Sequence, residues 1–302
     1  MIVNSAITAA NITNDAIKEV ELTNADENKI KIQSAYYVFA MGGIENGRML
    51  KYLASENYGS SLSKNNNVGA YWMEHPHYTI GDYFYNYPEN HLWHIGISET
   101  KKRDLRILNC NLNFDMPLDH NSDGRIKKAL RDLICVNETI GSEISYGLGR
   151  NYCGGMIDAA WEQEPLFDNR IELSTEVDSF GIPKSVLKWH KSDLDLKTIR
   201  LTAEYVAEAM AKNNQAKIRL YEWLWNGEYP EDGQMAGCHH MGGTRMSASP
   251  KDGVVNSDLR CWDVSNLYMA GSSVFPSSGH ANPTLTIVQL AVRLAEHISK
   301  QA

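Results

Sequence analysis

Long apolar runs are missing from this 302-residue chain. No stretch approaches the roughly 20 residues that a helix needs to cross a bilayer, so no membrane segment is expected. Basic clusters are missing as well. The net charge is −8, and a mildly acidic chain without a basic patch is a poor partner for nucleic acid or an anionic membrane. Cysteine is sparse: Cys110, Cys135, Cys153, Cys238 and Cys261 are odd in number, widely spaced and free of any C-x-x-C. That pattern argues against a disulfide framework or a zinc ribbon, and for a reducing compartment. The opening MIVNSAITAANITND has no basic segment followed by an apolar one and does not read as a signal peptide. The chain also contains no G-x-G-x-x-G, no internal repeat and no low-complexity linker.

What is present suits a globular protein. Hydrophobic residues make up 43% and charged residues 22%, and the length allows one large domain or two moderate ones. Residues 1–40 read as β structure, with strands at Ile2–Ala9 and Ile17–Thr23, turns at Thr13–Asp15 and Asn24–Asn28, and Ile30 and Ile32 alternating with polar residues. YYVFAM (Tyr36–Met41) is a continuous apolar run, as in a strand buried on both faces. Gly42-Gly43 follows, then the helical pattern IENGRMLKYLAS. Strand, glycine turn and helix together have the form of an α/β nucleotide-binding layer.

Residues 56–235 have a different texture. HYTIGDYFY, LRILNCNLNF and RIELSTEV alternate as in an antiparallel sheet. Helices are expected near Gly124–Val136 and Leu194–Lys212, the second opened by Ser192-Asp193 and carrying Leu196, Ile199, Ala203, Val206, Ala207 and Met210 on an apolar face. Residues 236–302 return to a glycine-rich layer. NLYMA (Asn266–Ala270) reads as a short strand ending at Gly271. A helix is expected from Pro283 to Ser299, with Asn282 as N-cap and an apolar face of Ile287, Val288, Ala291, Leu294, Ala295 and Ile298.

Several stretches resemble the glucose–methanol–choline (GMC) oxidoreductases. The longest is residues 237–298, GCHHMGGTRMSASPKDGVVNSDLRCWDVSNLYMAGSSVFPSSGHANPTLTIVQLAVRLAEHI, which is similar to the family's closing segment nearly position for position. YYVFAMGGIENGRML, VGAYWMEHPH, and EQEPLFDNRIELS through KWHKSDLDLKTIR also resemble family segments. The H-x-G-G-T and N-P-T versions present here are those of the sugar- and polyol-oxidising branch, pyranose oxidase-like enzymes included. The resemblance implies α/β plus α+β architecture: an incomplete FAD-binding Rossmann-like domain with an inserted substrate domain on a mostly antiparallel sheet. Residues 1–55 and 236–302 would be parts of the FAD-binding domain and residues 56–235 the substrate-binding domain. A whole family member opens with a strand–GxGxxG–helix unit, so the expectation is a fragment or half enzyme whose missing N-terminal FAD-binding half is supplied in cis or in trans.

The implied reaction is FAD-dependent oxidation of an alcohol, sugar or polyol. Its base needs a pKa near the working pH and reach to the hydroxyl, which neutral imidazole supplies. The resemblance places that role on His240, ahead of Met241-Gly242-Gly243-Thr244, with His239 expected to point the other way. It places the alcohol-orienting role on Asn282, whose amide can stabilise developing alkoxide charge. Implied flavin contacts are Ala6, Gly42, Gly43, Gly271, Ser272, His280, Pro283 and Thr284, with the helix dipole at Pro283 favouring an anionic reduced flavin. Gln163 and Glu162 would meet substrate hydroxyls. His75-Pro76-His77 reads as a loop rather than a metal site, and no metal is expected. Arg245 is expected to anchor a loop carboxylate, and Trp223 and Trp225 to sit in a core or an interface. The competing reading is a flavin-free truncated homologue serving as a binding or scaffold module. The compartment is left open between cytoplasm and periplasm.

Overall fold

A computed structural model describes residues 1–57, 60–85, 93–115, 140–141, 143–144, 154–231, 234–235 and 237–301. The helix expected near Gly124–Val136, together with Cys135 and Cys153, lies outside the described residues. In chain order the first elements are β1 (Ser5–Thr13), β2 (Ala16–Asn24), β3 (Lys29–Ile32), β4 (Tyr37–Phe39), α1 (Gly42–Glu56), β5 (His77–Tyr85), β6 (Trp93–Ile95), α2 (Glu99–Leu105), β7 (Cys110–Asp115) and β8 (Gly154–Trp161). They are followed by β9 (Arg170–Val177), β10 (Pro183–Lys188), α3 (Asp193–Lys212), β11 (Ala216–Leu220), α4 (Trp223–Asn226), β12 (Gln234–Met235), β13 (Leu267–Met269) and α5 (Thr284–Ser299).

The chain divides into two compact units, the first made of residues 1–74, 165–190 and 238–302 and the second of 75–164 and 191–237. In the first unit, β1, β2 and β3 form an antiparallel meander. Its first turn is Asn14-Asp15, both at positive φ, the backbone that a two-residue hairpin needs and that these residues tolerate. β4 and β13 pair in parallel, Tyr37 opposite Leu267 and Phe39 opposite Met269. Their side chains join Leu50 and Leu53 of α1, Val254, Leu259 and Leu294 in one core. β9 and β10 form a separate antiparallel hairpin. Arg48 of α1 holds it, with Nη2 2.6 Å from Asp178, Nε donating to the Pro183 carbonyl at 2.7 Å and Nη1 reaching Glu45 at 2.9 Å.

Residues 56–74 and 165–190 therefore cluster with the first unit, whereas the sequence boundaries set them in the middle segment. The Ile171 N–H donates to the Gly69 carbonyl at 2.9 Å, which ties these two stretches to each other.

The second unit is a six-stranded antiparallel sheet in the order β11-β5-β8-β7-β6, with β12 also on β5. One face, bearing Ile80, Leu112, Phe114, Ile157, Ala159 and Trp161, packs with Ile199, Ala203, Val206 and Met210 of α3. α3 begins with a capping box: Ser192 Oγ accepts the Asp195 N–H at 3.1 Å and Asp195 returns the bond to the Ser192 N–H at 2.7 Å. The reciprocal acid is Asp195, not the neighbouring Asp193. Trp223 is buried against Tyr78 and Tyr229, while Trp225 is exposed. Among the described residues no helix is long and apolar enough to cross a membrane.

Candidate active site

The site forms around a short cross-strand bridge in the first unit. The Met73 N–H donates to Met241 O at 2.8 Å, and the Met241 N–H donates to Met73 O at 2.9 Å. In an antiparallel bridge the neighbours also face one another, so Glu74 stands across from His240 and Trp72 across from Gly242. His240 Nε2 lies 3.2 Å from Glu74 Oε2, and the two side chains are 39% and 9% exposed. The Trp72 ring lies 5.6 Å from the imidazole, tilted by 38°. The other Glu74 oxygen accepts the His239 N–H at 2.8 Å. The tight turn after His240 requires glycine. Gly242 has φ +76°, and a Cβ there would come within 3.0 Å of the Tyr71 carbonyl carbon and nearer still to its oxygen.

Two other segments clamp the His240 backbone. Ser272 Oγ donates to the His240 carbonyl at 2.6 Å, and the Gly242 N–H donates to Ser272 O at 3.1 Å. Gly43, on the first turn of α1, abuts the same residue: a Cβ at Gly43 would lie 2.7 Å from the His240 carbonyl carbon and 2.9 Å from its Cβ. Behind them sits Asn46, fully buried. Its amide N–H groups donate to Ala270 O at 2.9 Å and Ser273 Oγ at 2.8 Å, and its oxygen accepts the Met41 N–H at 2.9 Å. Thr244 Oγ1 donates to the same Ser273 hydroxyl at 2.7 Å. Asn46, Glu74 and Trp72 were not singled out from the sequence. A polar residue on the core side of α1 and an acid beside His75-Pro76 were the available signals.

The structure thus joins Gly43, Ser272 and His240, three residues named from the sequence. Gly271 precedes Ser272 at φ +98° with open space where a Cβ would stand. Asn282 is exposed and is not the helix cap. Pro283 takes that place with helical φ and ψ, its carbonyl accepts the Ile287 N–H at 3.0 Å, and no side chain caps the first turn of α5. The N–H groups of the first turn of α5 are therefore left without a side-chain cap. Thr284 and His280 are exposed, and Gly42 has φ +94° with nothing within 4 Å of a Cβ. Ala6 lies in β1, opposite Thr23.

Along α5, Ile287, Leu290, Leu294 and Ile298 face the core, while Leu285, Val288 and Val292 are exposed at 70%, 54% and 55%. The single apolar face expected from the sequence is therefore two stripes, with Val288 on the outer one. Arg245 does not hold a carboxylate among the described residues; its guanidinium carbon sits 4.3 Å from the Tyr71 ring centroid.

In the second unit, Gln163 and Glu162 are buried. Glu162 Oε2 accepts the side-chain and backbone N–H groups of Asn109. His75 and His77 meet edge to face with centroids 4.6 Å apart.

Residues 165–291 match the family model described as GMC oxidoreductase. The chain is 24% identical over 289 residues to the fructose dehydrogenase large subunit of Gluconobacter japonicus, covering 93% of this chain and 50% of that protein. It is 40% identical over 163 residues to a C-glycoside 3-oxidase of Arthrobacter globiformis, covering 53% of this chain and 28% of that protein. The chain therefore spans half or less of the length of these relatives. Its fold is similar to that of formate oxidase (TM-score 0.55, 14% identity, 98% of this chain and 60% of that one). It is also similar to pyridoxine 4-oxidase from Mesorbium loti (TM-score 0.58, 11% identity, 97% of this chain and 57% of that one). The family match falls on the segments that build the His240 turn, its Ser272 clamp and the start of α5.

Proposed function

We propose that this chain is the His240-bearing part of an FAD-dependent oxidoreductase that oxidises a CH–OH group of a sugar, polyol or related alcohol. The observation that carries the reading is the clamped His240 turn: a half-exposed imidazole on a backbone fixed from two sides, within a GMC oxidoreductase fold. The sugar class is taken from the relatives, a fructose dehydrogenase subunit and a C-glycoside 3-oxidase. On this reading the parallel β4–β13 layer with α1 and α5 is part of a Rossmann-like FAD-binding domain. The six-stranded unit is the inserted substrate-binding domain. The remaining FAD-binding half is supplied in cis or in trans.

The residues present fit part of such a cofactor. Gly271 has open space where a side chain would stand, so a planar ring can approach its backbone. The first turn of α5 is exposed and has no side-chain cap, which leaves N–H groups and the positive end of the helix for an anionic partner. Asn282, Pro283 and Thr284 would hold the ring there. Gly43 and Ser272 serve it indirectly, since both bear on His240. When bound, FAD supplies the hydride acceptor. His240 accepts the proton of the substrate hydroxyl, and Asn282 orients that hydroxyl and stabilises its developing negative charge.

The test is to produce the protein together with a GxGxxG-bearing half, then measure flavin absorbance and the oxidation of fructose and simpler polyols with an artificial acceptor. His240→Gln should keep the flavin spectrum and lose about 10²–10⁴-fold in kcat. A flavin-loaded protein that oxidises none of these alcohols, or a His240→Gln variant with wild-type turnover, sinks the reading.

A further inference from the structure

We propose that Glu74 is the positioning carboxylate of His240, holding a proton on Nε2 so that Nδ1 is the nitrogen that takes the substrate proton. This rests on the reading of His240 as the base. Glu74 is buried, and an isolated buried carboxylate is costly, so its two oxygens need partners. Oε1 takes the His239 N–H at 2.8 Å, and Oε2 lies 3.2 Å from His240 Nε2. The pairing is built into the backbone, since the Met73–Met241 bridge sets residues 74 and 240 opposite each other.

The chemistry follows from which nitrogen faces the acid. In neutral imidazole one nitrogen donates and the other accepts, and a carboxylate can only accept. Glu74 therefore selects the tautomer with hydrogen on Nε2 and a lone pair on Nδ1. When the alcohol O–H breaks, its proton goes to Nδ1, the Nε2 proton stays between the ring and Glu74, and the carboxylate stabilises the imidazolium without becoming protonated. This is the division of labour of a His–carboxylate pair in acyl transfer, here with the carboxylate on Nε2 rather than Nδ1. The exposures fit the roles, with the carboxylate side dry at 9% and the imidazole at 39%. The Trp72 ring stands beside the imidazole, 5.6 Å between centroids.

The experiment combines a direct reading of the tautomer with kinetics, both on the complete flavin-loaded protein. Long-range ¹H–¹⁵N spectra of ¹⁵N-histidine-labelled protein, with His240 assigned by its loss in His240→Gln, should show the Nε2–H form. Glu74→Gln keeps the shape and removes the charge. It should lower kcat about 10–100-fold, the range for removing a partner that orients a functional histidine, with KM changed by less than threefold. Glu74→Leu should lower kcat further and mix the tautomers. If Glu74→Leu does not fold, the wild-type tautomer and Glu74→Gln still decide the matter. A wild-type His240 in the Nδ1–H form overturns the proposal, as do Glu74→Gln and Glu74→Leu at wild-type kcat beside an inactive His240→Gln; the base assignment survives either result. Wild-type kcat in His240→Gln instead overturns the base assignment, and the proposal with it.

Discussion

Gly43→Ala is expected to damage turnover out of proportion to its effect on folding. The new Cβ would stand 2.7 Å from the His240 carbonyl carbon and 2.9 Å from its Cβ. Carbon atoms pack best at about 3.5–4.0 Å, so the two backbones must part by roughly 0.8–1 Å. Neither side is a flexible side-chain end. The His240 backbone is held by Ser272, and its neighbour Met241 is held by Met73. Overpacking of this kind costs about 1–3 kcal/mol of stability. A shift of about 1 Å at a reacting group can cost on the order of 10²-fold in rate. Gly42→Ala is the control. Its φ of +94° disfavours any side chain, but nothing lies within 4 Å, so it strains the backbone without pushing on His240. That strain is worth about 1–2 kcal/mol. Thermal unfolding and kcat of both variants, measured on the flavin-loaded enzyme, should show similar losses of stability and a much larger loss of kcat for Gly43→Ala. Equal kcat in the two variants would refute the claim that Gly43 is glycine for the sake of His240.

Other perturbations separate the remaining parts of the design. Asn46→Leu takes the Asn46 donor from the Ala270 carbonyl and the Asn46 acceptor from the Met41 N–H, while Ser273 keeps the Thr244 hydroxyl. It should cost about 1–3 kcal/mol for each group left unsatisfied, read from urea midpoints. Burial pushes Asp195 up to about 6, with bonds from the Ser192 and Glu164 N–H groups opposing the shift. Because the folded value is raised, its contribution is fully present below about pH 4 and is lost as pH rises through about 6. Asp195→Asn should therefore remove a stability difference on the order of 2–3 kcal/mol between pH 4 and pH 7, seen as a flatter urea-midpoint profile than wild type. Burial also pushes the Cys110 and Cys261 thiols to about 12, whereas Cys238 is exposed. Maleimide labelling of the native protein, followed by peptide mass spectrometry, should mark Cys238 and spare the other two.

Local patterns made much of the fold readable from sequence. The alternation of Ile17–Thr23, the apolar YYVFAM run and the helical spacing of Leu194–Lys212 each act over a few residues, and β2, β4 and α3 lie there, whereas the first strand runs Ser5–Thr13 rather than the expected Ile2–Ala9. Membership of a unit was not readable. RIELSTEV alternates like the strands of the six-stranded sheet, yet β9 is placed with the first unit, tied through Gly69 and Arg48. The same distinction holds at the site. His240 was legible through its glycine turn, because the turn is local. Glu74 and Asn46 were not, because their roles come from a bridge and from hydrogen bonds that no local pattern records. The outer stripe of α5, with Leu285, Val288 and Val292, repeats at helical spacing, but spacing alone does not tell a packed stripe from an exposed one.

The clamp on His240 also bears on how this protein is made. Glu74 meets the His239 amide across 165 positions of sequence, and Asn46 meets the Ala270 carbonyl across 224. Contacts of such separation form slowly, since the intervening chain must first be closed into a loop. A nascent chain that has not reached Cys238 already holds Gly43, Asn46, Trp72 and Glu74, yet lacks the His239, His240, Ala270 and Ser273 groups they meet. Until synthesis passes Ser273, the Asn46 N–H groups and the Glu74 carboxylate cannot make these distant bonds, and water stands in for them. The turn that carries His240 is thus assembled only once residues 238–273 have been made, onto a surface laid down long before them.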